Sequence, residues 1–162
     1  MVSSRSSLTT YVTRGMLAGV GGAAVMTAFQ KLVEMPLTGR EDSYAPQQFA
    51  EKVLPVHSTT DAGRKRLNYA THFALGATWG AAYGVAAYKG LRGPRAMLTT
   101  FATIYLEDNV MVTALGLDKP WTWSGKDAAI DVVDKFVNVV GTGLVFDHLL
   151  APDRVREGVL SR

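Results

Sequence analysis

The chain has 162 residues, 48% of them hydrophobic and 19% charged, with a net charge of +3. That is room for one domain or a few membrane-spanning helices, but not for a multidomain enzyme. It contains no cysteine, which excludes disulfides, thiolate nucleophiles and Cys-ligated zinc or iron–sulfur centres. A pI near 9.3 is only mildly basic and gives no reason to expect a nucleic-acid partner, and a mean hydropathy of +0.09 lies between the soluble and membrane classes.

The placement of charge along the chain is more decisive. A bilayer core takes about 20 residues of helix, and four stretches are apolar enough to be tested against it. The first, residues 15–33, follows Arg5 and Arg14, with no acid before Glu34. It reads as an uncleaved helix rather than a signal peptide, because the best small-residue cleavage position, around Ala28, is a poor one. In the loop that follows, residues 46–54 form a short helix with Pro46 near its start and Pro55 as its stop. Phe49, Val53 and Leu54 fall on one face of it, which suits a membrane surface.

The second stretch, residues 67–88, contains no Asp, Glu, Lys or Arg. The third, 96–117, is interrupted by Glu107, Asp108 and Asn109. Trp121 and Trp123 come next, where an interfacial aromatic belt would lie. The fourth, 128–150, carries Asp131, Asp134 and Lys135 in its first half. Two carboxylates facing lipid would cost the third helix about 5–7 kcal/mol. The third and fourth helices therefore need partners, and the expected fold is all-α. It is a single integral membrane domain over residues 1–162, a four-helix polytopic transmembrane bundle with a short interfacial helix in the first loop.

Glycine spacing supports close packing. Gly76, Gly80 and Gly84 recur every four residues, and Gly15, Gly19 and Gly22 line the first helix. Such seams let helix backbones approach in lipid, and their role is structural. The tight turn from Lys89 to Arg95 favours an N-in, C-in orientation by the positive-inside rule. Arg5, Arg14, Arg154, Arg156 and Arg162 lie on that same side.

At 1.5 Å per residue, most polar groups of the four helices fall in one half of the bundle. Glu107 lies about 15 Å in from the end of its helix, Asp131 about 6 Å, Asp134 about 10 Å and His72 about 7 Å. Glu34 closes the first helix at the same end. Asp131, Asp134 and Asn138 share a face of the fourth helix, with Lys135 at its edge. Asp108 points about 100° away from Glu107 and must meet a different neighbour. The expected arrangement is a carboxylate-rich pocket formed by Glu34, His72, Glu107, Asp108, Asp131, Asp134, Lys135 and Asn138. Its competitor is a structural ion-pair network in which Lys135 pairs Glu107 or Asp108 and fixes helix register. The excess of acids over bases suits proton relay or a bound cation. No other cofactor is expected: paired Glu-x-x-His motifs, phosphate loops, zincin motifs and nucleophile elbows are all absent from the sequence.

The first ninety residues carry a resemblance. Glu34-Met-Pro36, Gly39-Arg40, Ser43 and Pro46 follow a glycine-rich helix. A His72-x-x-x-Gly76-x-x-x-Gly80-x-x-Tyr83-Gly84 helix comes next. Together these are similar to the YagU-like bacterial inner-membrane proteins, whose function is not known. The resemblance implies a multi-pass protein of the bacterial inner membrane and carries no catalytic residue. Three functional classes remain open. One is an ion, proton or small-solute pathway; another is a non-catalytic accessory or assembly subunit of a larger membrane complex. The third is a membrane-embedded metal-dependent enzyme, against which the missing motifs count. The expected partners are the lipid bilayer and either further copies of the chain or the subunits of such a complex.

Overall fold

The computed structural model describes residues 6–151, in which all regular structure is helical and no strand occurs. Helix α1 spans Leu8–Phe29 and continues through a π-turn, Gln30–Glu34, into one further turn, α2, Met35–Thr38. The short helix α3 covers Ala45–Val53. Helices α4, Asp61–Tyr88, and α5, Gly93–Ala114, are joined by a tight turn, and α6 runs Gly125–Val145 into a second π-turn, Phe146–Leu150. Of the residues that set the orientation argument, Arg5, Arg154, Arg156 and Arg162 lie outside the described residues.

The helix starts follow local chemistry. Ser7, Thr60 and Ser124 cap α1, α4 and α6, each side-chain oxygen accepting a backbone N–H three residues on. Pro94 sits in the first turn of α5, where the missing N–H costs nothing. The expected first span ends at residue 33, but the helix runs on to Thr38. Pro36 cannot donate to Leu32 and its ring crowds that carbonyl; the π-turn just before it absorbs the misfit, so the chain is not broken there. Gly39, at φ +70°, then ends the helix in the left-handed conformation.

Helix α1 is the hub. It packs against α4 and α6, and α5 closes the ring by touching α4 and α6. Gly15 faces Gly84 and Gly19 faces Gly80, so α1 and α4 run antiparallel with backbones in contact. A Cβ at Gly19 would sit 2.8 Å from the Gly80 Cα, and one at Gly80 would sit 2.6 Å from the Gly19 Cα. Gly22 turns to α6 instead, where a Cβ would lie 2.5 Å from the Asn138 carbonyl oxygen. Small residues are needed here because the opposing surface is backbone, which cannot rotate away.

Below the glycine seams lies the dry core of Tyr11, Ala18, Tyr83, Ala87, Ala96 and Phe146. The Tyr83 and Phe146 rings are 5.4 Å apart. Helix α3 is not a free amphipathic segment: Gln47 and Ala50 are buried, and the Gln47 N–H donates to Asn68 Oδ1 on α4 at 3.1 Å. Its three apolar side chains divide, with Val53 and Leu54 exposed and Phe49 half-buried. The Ser58 N–H donates to Glu51 at 2.8 Å, which holds that carboxyl below its usual range and closes the loop after α3.

The helix formed by Leu8–Thr38 is long and apolar enough to cross a membrane, with a mean hydropathy of 1.4 in its most apolar stretch. The other long helices among the described residues do not meet that standard. Hydropathy alone therefore supports one span rather than the expected four. Asn68, His72 and the glycine, threonine, tyrosine and tryptophan residues of α4, together with the acids of α5 and α6, lower the averages.

Substituting Gly80→Ala should destabilise the bundle by about 1–3 kcal/mol through overpacking. This outweighs the gain of about 1 kcal/mol in helix propensity. Gly125→Ala, which meets nothing within 4 Å, should be neutral or stabilising. Denaturant unfolding in detergent distinguishes the two, and equal stabilisation by both would contradict the seam.

Candidate functional site

At the end of the bundle where α1 passes into its π-turn and α6 begins, the helices splay around a cavity of about 510 Å³. Four elements build its polar wall. The π-turn contributes Gln30 and Glu34, which the widened turn rotates inward, leaving Glu34 buried. Helix α4 contributes His72 and Trp79, α5 contributes Asp108, and α6 contributes Asp131, Asp134 and Lys135.

Lys135 is the central cation. Its Nζ lies 2.9 Å from Asp108 and also pairs with Asp131 one turn earlier on α6. The Tyr105 ring lies 5.9 Å from the same nitrogen. Of the two pairings open in the sequence, Asp108 rather than Glu107 takes Lys135. The 100° offset between them sends Asp108 toward α6 and Glu107 toward α4, where Glu107 accepts from Trp79 Nε1 at 3.2 Å. Glu107 is exposed and does not line the cavity.

Asp134 is 3% exposed. Its Oδ2 accepts from Gln30 Nε2 at 2.7 Å, and Arg40 approaches to 3.9 Å. Its Oδ1, and Oδ2 of Asp131, are buried and lack any hydrogen-bond partner among the described residues. Buried polar atoms left unpaired are rare and costly. Glu34 accepts from the Thr38 hydroxyl at 2.7 Å. His72 Nε2 lies 3.2 Å from Thr27 Oγ1, whose own proton goes to the Ala23 carbonyl, so Nε2 is the donor. Asn138 lies behind this wall, where its amide donates to Met26 Sδ at 3.7 Å and its carbonyl oxygens accept from Thr142.

Charge across the cavity lining is unequal. Glu34, Glu41, Asp42, Asp108, Asp118, Asp127, Asp131 and Asp134 stand against Lys31, Arg40 and Lys135. The lining stops at the level of Trp79 and Lys135 and includes neither Tyr83 nor Phe146. The cavity is therefore a vestibule entered from one end, above a packed half. The expected glycine residues take no part in it; Gly15, Gly19, Gly76, Gly80 and Gly84 are consumed in the α1–α4 contact. Gln30 and Arg40 were not among the expected pocket residues. The only sequence signal for Gln30 was its place at the end of the first helix beside Glu34.

A second polar cluster closes the opposite end. Tyr83 Oη donates to Asp147 Oδ2 at 2.8 Å, and the Gly93 N–H donates to the same oxygen at 3.1 Å. Arg92 reaches the Ala87 carbonyl and the Tyr11 hydroxyl, and Arg14 reaches the Leu150 carbonyl. These groups read as a tie between the α4–α5 turn and the end of α6.

Comparison of the chain with protein-family models, with curated proteins and with solved structures finds no match. The class defined by the fold is an all-helical bundle with a one-ended acidic vestibule. No group of His, Cys, Asp or Glu among the described residues is arranged to hold a metal ion.

Replacing Lys135 by Met should cost about 3–5 kcal/mol, because Asp108 and Asp131 lose the cation that offsets their burial. Adding Asp108→Asn to that variant should recover part of the loss. Unfolding measurements on the single and double variants test this, and strictly additive losses would show that Lys135 and Asp108 are not coupled.

Proposed function

We propose that the chain is a small polytopic membrane protein whose vestibule receives a cation from the aqueous phase. The observation that carries this reading is the inverted distribution of polarity. Three charged side chains, Glu34, Asp134 and Lys135, are buried inside the bundle, while large aliphatic side chains stand on its outer faces. Leu17, Leu98, Leu106, Val110 and Leu144 are between 49% and 67% exposed. A bundle stable in water has the opposite pattern, and contiguous apolar faces of this kind call for lipid or protein cover. Helices α1, α5 and α6 are each about 32–33 Å long, sufficient for a hydrocarbon core of about 30 Å, and α4 is longer. On this reading all four long helices span the membrane. The resemblance to the YagU-like proteins makes that membrane the bacterial inner one, and the basic turn from Lys89 to Arg95 favours an N-in, C-in orientation.

The excess of carboxylates in the vestibule supports attraction of cations rather than anions. The packed half around Tyr83 and Phe146 favours binding from one side over a standing pore. An accessory role in a larger complex loses one of its supports, since the glycine seams that would dock a partner are occupied within the chain.

The absence of native cysteine makes a direct test possible. Met111 lines the vestibule. In the Met111→Cys variant, an ethylammonium methanethiosulfonate should react at least tenfold faster than the ethylsulfonate reagent of similar size, and salt should narrow the gap. Equal rates, or a faster anionic reagent, would contradict a cation-attracting vestibule.

A further inference from the structure

The walls of the vestibule are as informative as its charge. Beside the carboxylates stand the aromatic side chains of Phe49, Tyr69 and Trp79 and the apolar side chains of Met26, Leu75 and Met111. A volume of about 510 Å³ falls within the range of small-molecule pockets and far exceeds what a bare metal ion fills. The acids are dispersed around the lining, and among the described residues no cluster converges as metal ligands do. Yet two carboxylate oxygens, Asp134 Oδ1 and Asp131 Oδ2, are buried without a partner, and Asp134 is 3% exposed.

Building on the cation reading above, we infer that the vestibule binds a small organic ammonium with an apolar body. The charged nitrogen is held by Asp134, and the body lies against the aromatic wall that includes Trp79. A carboxylate supplies the countercharge. Aromatic faces attract a diffuse ammonium through their quadrupole, and a strongly hydrated metal ion gains less from such walls. Gln30 and Arg40 approach Asp134 at Oδ2, and Lys135 pairs with Asp108 and with Oδ1 of Asp131, so Asp134 Oδ1 and Asp131 Oδ2 are the acceptors left for a ligand.

The test is calorimetric titration of the full chain in zwitterionic nanodiscs with benzyltrimethylammonium, tetramethylammonium and magnesium chloride. Benzyltrimethylammonium should bind at least tenfold more tightly than tetramethylammonium, and magnesium should not displace it. Asp134→Asn should weaken it at least tenfold, whereas Asp147→Asn, at the far end of the bundle, should not. Trp79→Leu should abolish the preference for the aryl body, weakening benzyltrimethylammonium more than tetramethylammonium. The wild-type selectivity stands even if a variant fails to fold. Tighter binding of magnesium, or no difference between the two ammonium ions, would overturn the ligand class and leave the vestibule reading intact. Failure of all three cations to bind would overturn both.

Discussion

The approach of α1 to α4 and α6 without intervening side chains is the constraint on which the rest of the structure depends. Gly15, Gly19, Gly76 and Gly80 remove the atoms that would hold the first two helices apart, and Gly22 does the same toward Asn138 and Thr142. Helices this close leave little room for side chains between them, so the contact is made by glycine and by the backbone itself. The cavity and the acids that line it then lie at the end where Gln30 and Glu34 leave the regular helix, while a separate cluster around Asp147 ties the other end. The vestibule is a consequence of the seam: tight packing at one end, splayed helices at the other.

Inside the splayed end, charge is offset unevenly. Lys135 answers two carboxylates at once, and Asp134 is served by Gln30 with Arg40 at longer range. Such networks rarely add stability over an apolar core, because desolvation consumes most of the Coulombic gain. Two carboxylate oxygens of this network are left bare, as is Asp147 Oδ1 in the tie at the other end; of the three, the first two belong to residues that line the cavity. The π-turns belong to the same logic. Each carries an acid into the interior, Glu34 at one end and Asp147 at the other, at a rotation that an unbroken α-helix would not give.

Much of this was legible in the sequence. Long apolar runs set the helices to within about two turns. The spacing of Gly76, Gly80 and Gly84 identified a packing seam, and the 100° step between Glu107 and Asp108 required that they meet different helices. What the sequence could not supply was tertiary choice. Periodicity says that two acids diverge, but not which neighbour lies on each side, so Glu107 seemed as fit for the pocket as Asp108. The reach of Gln30 to Asp134 spans more than a hundred residues and has no local signature. Pro36 looked like the end of the first helix because a π-turn that absorbs a proline leaves no mark in hydropathy. The short helix after it was read from Phe49, Val53 and Leu54, yet Gln47 and Ala50 decide how it docks. Four spans were expected from the absence of charge, whereas among the described residues mean hydropathy distinguishes only Leu8–Thr38.

On the proposed reading, lipid covers the aliphatic outer faces while water reaches the charged interior. Spin labels at Leu17, Leu98, Leu144 and Met111, one at a time in proteoliposomes, test it through collision with oxygen and with a water-soluble nickel chelate. The account predicts that the first three favour oxygen and exclude nickel, while Met111 shows the reverse. Ready access of nickel to Leu98 and Leu144 would contradict it, and the aliphatic faces of the bundle would then be open to water rather than covered by a bilayer.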